Sequence, residues 1–191
     1  MMRLLPSLFL YTSLFAAALA GNAQSQTAHG SSPIVLGQST ALSGPAKNLG
    51  QEMRAGLLAA FAFINDRGGV KGKEVHLVSL DDGYEPDKAV SNTVTLINEI
   101  DAFLLIGEVG TPTSKAVIPI VEKYKIPFFA PFTGAELLRT PFRRYVINVR
   151  ASYYQEMEKL ASYLIDQRKF SRISCFYQND SYGFAGLQGI E

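Results

Sequence analysis

The chain has 191 residues, of which 47% are hydrophobic, with a formal net charge of +1 and a single cysteine. This composition is typical of a globular protein with a sizeable core. The balanced charge, without a basic run, argues against nucleic acid as a partner. One cysteine also excludes an internal disulfide, and its apolar neighbours predict that Cys175 is a small buried side chain.

The N-terminus has the pattern of a secretory signal peptide over residues 1–23. Arg3 precedes an apolar run from Leu4 to Ala20, and small residues predict cleavage after Ala20 or Ala23. The alternative is an uncleaved membrane anchor, since the run is close to the shortest membrane span. Lipid attachment at the cleavage site is excluded because Cys175 is the only cysteine. We therefore expect a soluble protein outside the cytoplasm, with a disordered polar lead-in at residues 24–33.

From residue 34 onward, short apolar runs of strand length alternate with longer runs of helical periodicity. This order predicts an α/β fold with right-handed crossovers and a parallel sheet. The expected helices occupy about residues 51–66, 86–100 and 111–125. The expected strands are Ile34–Ser39, Glu74–Leu80, Ala102–Ile106, Ile126–Ala130 and Tyr145–Val149.

After Arg150 the alternation begins again. A helical stripe runs from Tyr154 to Ile165, Arg172–Tyr177 has the character of a strand, and Asn179–Gly183 leads into another helix. We therefore predict an N-terminal α/β lobe at residues 34–150 and the start of a second lobe at residues 151–191.

The third strand leads into a turn that contains Gly107 and Gly110. Thr111 is predicted to be the N-cap of the next helix, with Pro112 at its first position. The N-terminus of a helix offers unpaired N–H groups and a positive dipole end, so an anion, and first of all a carboxylate, is the expected guest. The alternative is an ordinary strand-to-helix turn that binds nothing.

Few other residues suggest chemistry. Asp81 and Asp82 could serve acid–base chemistry or bind a cation, but two acids before Gly83 are typical of a turn. His76 falls on the exposed side of its strand and has no second histidine nearby for a metal site. The sequence lacks glycine-rich nucleotide motifs and a nucleophile elbow, and its other histidine lies in the lead-in. We therefore expect no enzyme, no cofactor and no metal.

Several short motifs, in this order and spacing, resemble one known family over the whole stretch from Ile34 to Glu191. They are Leu42–Pro45 with Gly50 and Gly56, Ile64–Gly72, Asp81–Asp82, Ile106–Ser114, Ile126–Leu137 and Asp180–Gly183. The chain is similar to the periplasmic solute-binding proteins of ABC importers, of the leucine/isoleucine/valine-binding type. That family has a two-lobed type I fold, which closes on a small solute and then docks on a membrane permease.

The resemblance implies a set of ligand-binding residues. Gly110 and Thr111 would meet the carboxylate, the turn Phe132–Gly134 would supply a carbonyl for an ammonium group and other polar contacts, and Tyr182 would close from the second lobe. Leu49 would lie near the side-chain pocket. The implied set is Leu49, Gly110, Thr111, Phe132, Thr133, Gly134 and Tyr182.

This sequence departs from the family at three of those positions. Gly134 stands where leucine-type binders can offer a hydroxyl, Phe132 is bulky where they have a small residue, and Leu49 is not aromatic. The solute is therefore expected to be an amino acid of the branched-chain type or another small carboxylate with an aromatic or apolar tail. Family members are also about twice as long, so we expect a truncated, monomeric member with an incomplete second lobe.

Two other functions remain open from the sequence. The same fold can serve as a ligand-sensing receptor domain, which the sequence does not distinguish from an importer component. A secreted α/β hydrolase or phosphosugar enzyme would use Asp81, Asp82 or Thr111, and it would lose turnover on Asp82→Asn.

Overall fold

A computed structural model describes residues 32–191 of the chain. The predicted signal peptide and most of the lead-in lie outside the described residues. The regular elements follow the predicted alternation. The strands are β1 (Ile34–Thr40), β2 (Val75–Asp81), β3 (Leu104–Ile106), β4 (Phe128–Phe129) and β5 (Val146–Ile147). The helices are α1 (Lys47–Asn65), α2 (Pro86–Asn98), α3 (Thr111–Tyr124), α4 (Tyr153–Ser162) and α5 (Ser181–Ile190).

All five strands form one parallel sheet in the order β2-β1-β3-β4-β5. β1 and β2 pair over their full length, from Ile34 opposite Val75 to Thr40 opposite Asp81. β4 and β5 contain only two residues each, which is shorter than predicted. The α/β fold class with a parallel sheet is confirmed.

Helices cover both faces of the sheet, because successive side chains of a strand point to opposite sides. Leu105 packs in a cluster with Leu96 of α2 and Val117 of α3. The neighbouring Leu104 belongs to a second cluster, which includes Leu57 of α1. This two-sided burial explains why the central strand is apolar without alternation.

The first helix begins earlier than predicted, at Lys47 instead of Gln51. The exposed position expected for His76 is confirmed, and its Nε2 atom lies 2.8 Å from Glu74 Oε2. α4 runs on into a π-helical turn, Tyr163–Gln167, and α5 begins at Ser181, inside the Asn179–Gly183 segment that was expected to lead into a helix. The boundary of the lobes near Arg150 stays a prediction.

The prediction of a sixth strand at Arg172–Tyr177 is wrong, since residues 172–180 have irregular backbone and pair with no strand among the described residues. The residues of this run favour the strand conformation, but a strand forms only where it can pair with another strand. Cys175 is exposed, not buried as predicted, because this segment lies at the surface. Among residues 32–191, no helix is both long enough and apolar enough to span a bilayer.

Candidate functional site

The carboxyl ends of the parallel strands meet along one edge of the sheet, where binding sites of open α/β sheets usually lie. The loops after β1, β2, β3 and β4 line a cleft of about 940 Å³ at this edge. Residues from α4, from α5 and from the irregular segment 175–178 line it as well. We refer to this space as the cleft.

Five of the seven predicted site residues line the cleft, and the other two lie behind its wall. Thr133 and Gly134 are buried and are not among the lining residues. The structure thus brings the predicted residues together, with two of them as support. The five lining residues are Leu49, Gly110, Thr111, Phe132 and Tyr182.

The start of α3 differs from the prediction. Gly110, with φ 118° and ψ 144°, is the N-cap, and Thr111 is the first helical residue. The Thr111 hydroxyl makes no capping bond but lies 2.6 Å from Thr133 Oγ1. Pro112 has no N–H, but the other first N–H groups of a helix lack intrahelical partners, so this end of α3 still has the features of an anion site.

Gly110 allows a tyrosine to lie directly against the turn. A Cβ atom at position 110 would be 2.6 Å from Cε2 of Tyr84 and 2.7 Å from Thr113 Oγ1. Tyr84 itself has φ 72°, which is uncommon for a bulky residue and is found at constrained sites. Burial, with smaller contributions from Asp180 and two other tyrosines, raises the pKa of Tyr84 to about 12, so its phenol stays protonated.

Three hydroxyl groups form a chain beside this turn. Thr133 Oγ1 lies 2.6 Å from Thr111 Oγ1 and 3.3 Å from the hydroxyl of Tyr153, and it accepts the N–H of Ala135 at 3.2 Å. Thr133 is fully buried and Tyr153 is 7% exposed. The chain of hydroxyl groups thus joins α3, the loop after β4 and the first turn of α4.

Gly134 makes room for the ring of Tyr153. A Cβ atom at position 134 would lie 2.7 Å from Cδ1 of Tyr153, and the Tyr153 N–H donates to the Gly134 carbonyl at 2.7 Å. That carbonyl therefore already accepts a hydrogen bond from the first residue of α4. The departure from the family at position 134 is explained by this contact, since a larger residue would displace the ring.

Tyr182 approaches from the opposite side on α5. Asp180 caps this helix, since its Oδ1 accepts the N–H groups of Tyr182 at 2.9 Å and Gly183 at 3.0 Å. The Tyr182 ring is 44% exposed and meets the Tyr153 ring edge-on, with centroids 5.5 Å apart and planes at 71°. The two rings therefore form an aromatic wall of the cleft.

Arg150 and Glu156 bring charge into the cleft. Arg150 Nη2 and Glu156 Oε1 form an ion pair. The guanidinium carbon of Arg150 lies 5.3 Å from the ring centroids of both Phe132 and Tyr153. Its charge is thus shared between a carboxylate and two aromatic faces.

Two acids are buried beneath the strand ends. Asp82 accepts the Ser39 hydroxyl and the Tyr84 N–H, each at 2.8 Å. Desolvation raises the pKa of Asp82 and, far more strongly, that of the fully buried Glu108, which Asp82 raises further. The Thr93 hydroxyl lies 3.4 Å from Glu108 Oε1, which leaves Glu108 with little compensation.

Asp81 is a loop-forming residue, as its position before Gly83 suggested. One oxygen, Oδ1, accepts the N–H groups of Leu42 at 2.8 Å, Ser43 at 3.1 Å and Gly83 at 2.9 Å. The Ser43 hydroxyl and these amides lower the pKa of Asp81. Among residues 32–191, no group of three or more histidine, cysteine, aspartate or glutamate side chains could hold a metal ion.

Sequence reasoning missed Tyr84, Glu108, Arg150 and Tyr153. Tyr84, Glu108 and Arg150 come shortly after a strand, as Gly110, Thr111 and residues 132–134 do, and this position was the available signal. Tyr153 also follows Ser152, whose side chain forms a capping box with Gln155. An aromatic residue shortly after a strand end was therefore the available signal for Tyr84.

Comparison with known proteins identifies the same family as the sequence motifs suggest. Residues 33–191 match the family described as "Periplasmic binding protein". The "Leu/Ile/Val-binding protein" of Escherichia coli strain K12 is 25% identical over 143 residues, which cover 75% of this chain and 39% of that protein.

Solved structures agree in fold. A possible leucine/isoleucine/valine-binding protein from Rhodopirellula baltica SH 1 is 43% identical with a TM-score of 0.77, over 83% of this chain and 44% of that one. A fatty acid ABC transporter substrate-binding protein from Thermomonospora curvata is 25% identical with a TM-score of 0.73, over 83% and 40%.

The chain therefore spans less than half the length of these proteins. They are binding proteins, in agreement with the expectation that the chain is not an enzyme. The sheet topology, the position of the cleft and the match over residues 33–191 lead to one conclusion. This chain belongs to the periplasmic binding protein family, with the type I fold.

Proposed function

We propose that the chain is the N-terminal part of the solute-binding component of an ABC importer, which captures a small carboxylate-bearing solute. The observation that supports this most directly is the start of α3 at the base of an aromatic cleft. Gly110 and Thr111 present a helix N-terminus there, and hydroxyl groups surround it. A carboxylate fits such a site because it accepts hydrogen bonds and favours the positive dipole end.

The other predicted residues receive distinct roles in this proposal. Leu49 and Phe132 contact the apolar body of the solute, and Tyr182 closes over it from α5. Thr133 and Gly134 support the wall through Tyr153. The Gly134 carbonyl is engaged by Tyr153 N–H, so we do not assign it to an ammonium group.

The solute class follows from the relatives and the lining together. The Escherichia coli relative is named for leucine, isoleucine and valine, and the Thermomonospora curvata protein for a fatty acid. Apolar and aromatic side chains dominate the cleft wall here. We propose an amino acid of the branched-chain type as the first candidate, with aromatic or aliphatic carboxylic acids next.

The partners and location follow from the same class. A signal peptide at residues 1–23 would direct the protein to the periplasm, where the loaded protein would dock on the membrane permease of an importer. A ligand-sensing role would use the same cleft without a permease. Solute uptake by cells that lack the protein separates these roles, because only an importer component is required for uptake.

A thermal-shift panel tests the binding proposal. The purified protein is heated with L-leucine, L-isoleucine, L-valine, octanoate or benzoate, and with glucose and putrescine as controls. A solute that binds the native state selectively raises the melting temperature, and at 100 times Kd the gain is about 2.7 kcal/mol. We expect at least one of the carboxylates to raise the melting temperature. Stabilisation by glucose or putrescine alone would contradict the proposal.

A further inference from the structure

We propose that Tyr153 donates a hydrogen bond directly to the carboxylate of the solute, and that this bond makes the site select an acid over its neutral amide. The inference rests on the proposed function, because it concerns the same cleft. It adds a contact from α4 that neither the sequence motifs nor the relatives assign.

The chain of three hydroxyl groups leaves one hydroxyl proton unused. Thr111, Thr133 and Tyr153 each carry one hydroxyl proton, and the two links of the chain use two of the three. Thr133 donates to Tyr153 at 3.3 Å, so its link with Thr111, at 2.6 Å, uses the Thr111 proton. The proton of Tyr153 is then left for a group in the cleft.

Tyr153 lies close to the start of α3. It lines the cleft together with Gly110 and Thr111, although its side chain is largely buried. Its hydroxyl is joined to the Thr111 hydroxyl through a single residue, Thr133. A carboxylate placed over the first turn of α3 therefore lies within the reach of the Tyr153 hydroxyl.

The backbone and ring of Tyr153 are held in place from several sides. The Ser152 hydroxyl accepts the Gln155 N–H at 3.2 Å, and the Gln155 side chain accepts the Ser152 N–H at 3.0 Å, which fixes the start of α4. The ring lies on Gly134 and against Tyr182. A donor that is held in this way loses little conformational entropy when a solute binds.

The hydrogen-bonding groups at the start of α3 favour a carboxylate over a carboxamide. The groups that the turn offers are donors: the phenol of Tyr153 and the N–H groups of the first turn of α3, apart from Pro112, which has none, and Thr111, whose N–H bonds to Tyr84. A carboxylate has two acceptor oxygens and can satisfy donors on both sides. A carboxamide has one oxygen and one NH₂ group, so one donor would face another donor. Leaving such a pair unsatisfied in a desolvated site is costly.

The test compares the wild-type protein with Tyr153→Phe by isothermal titration calorimetry. The probes are L-leucine with L-leucinamide, octanoate with octanamide and benzoate with benzamide. Tyr154→Phe is the matched control, because Tyr154 is the next residue on α4 and its hydroxyl faces Gln188 at 3.4 Å outside the cleft. Circular dichroism and a melting curve without solute establish that each variant folds.

For any acid that binds the wild type, we expect Tyr153→Phe to weaken binding by about tenfold to a hundredfold, as for a lost hydrogen bond to a charged group. The preference for the acid over its amide should fall as well, while Tyr154→Phe changes neither. A folded Tyr153→Phe protein that binds the acid as the wild type does overturns the inference but leaves the proposed function intact. If no acid binds the wild type, both are overturned.

Discussion

The hydroxyl oxygens of Thr111 and Thr133 lie 2.6 Å apart, so the first residue of α3 is tied to the loop after β4. Both side chains are almost completely buried. Each strand end contributes one hydroxyl, and the pair forms only because β3 and β4 are neighbours in the sheet. This contact links the sheet topology to the floor of the cleft.

Thr133→Val should therefore destabilise the protein. Valine keeps the shape of threonine but leaves the buried Thr111 hydroxyl without its partner, which costs about 1–3 kcal/mol. Urea denaturation measures this loss in the free energy of unfolding. Thr95→Val is the control, because the Thr95 hydroxyl faces only the exposed Glu99. Equal losses in the free energy of unfolding for both variants would mean that the buried contact between Thr111 and Thr133 does not stabilise the protein.

Gly134→Ala should disturb the same wall of the cleft, because the added methyl group would displace the ring of Tyr153. The new methyl group would meet Tyr153 at 2.7 Å, and we expect a loss of about 1–3 kcal/mol together with weaker solute binding. The control is Gly56→Ala in α1, where an added Cβ has no atom within 4 Å. Alanine in a helix interior is about 0.5–1 kcal/mol better than glycine, so that variant should gain stability. Urea denaturation measures both changes.

The elements that sequence reasoning predicted correctly are those with a local signal. The apolar run at Leu104–Ile106, followed by glycines and Thr111, gives the strand, the turn and the start of a helix without knowledge of the rest of the fold. Local patterns also predicted that Asp81 helps to form the turn after β2, where its side chain accepts the Gly83 N–H. For the same reason, the position of the cleft edge followed from the strand order in the sequence.

The parts that failed depend on distant residues. Whether Thr111 caps its own helix or bonds to Thr133 is decided 22 positions along the chain. The run Arg172–Tyr177 has the propensity of a strand but no partner among the described residues. Tyr153 could not be assigned to the cleft because only the folded sheet brings α4 to the loop after β4.

Glu108→Gln should change the pH dependence of stability. Burial raises the pKa of Glu108 well above its ordinary value of 4.5, so the native protein keeps a proton that the unfolded chain releases. The wild type therefore loses stability as pH rises from 4.5 towards the native pKa, and Asp82 acts in the same direction. A glutamine is neutral at every pH and does not contribute to this loss.

We thus expect the free energy of unfolding of Glu108→Gln, relative to wild type, to rise between pH 4 and pH 8. Urea denaturation at several pH values measures the difference. Glu158→Gln changes an exposed carboxylate on α4 and is the control for charge alone. A difference between Glu108→Gln and wild type that stays constant with pH would show that Glu108 ionises normally in the native protein.

Cys175 offers a reporter of solute binding, because it is exposed and lines the cleft. A thiol reagent such as iodoacetamide should label it in the native protein without denaturant, at a rate that the mass increase of the intact protein measures. A carboxylate seated over α3 should slow this labelling, since Tyr182 and the segment 175–178 would close on the solute. A Cys175→Ser protein should remain unlabelled.

Labelling of Cys175 that occurs only after denaturation would contradict its exposed position. A labelling rate that does not change with a solute that raises the melting temperature would place that solute outside the cleft.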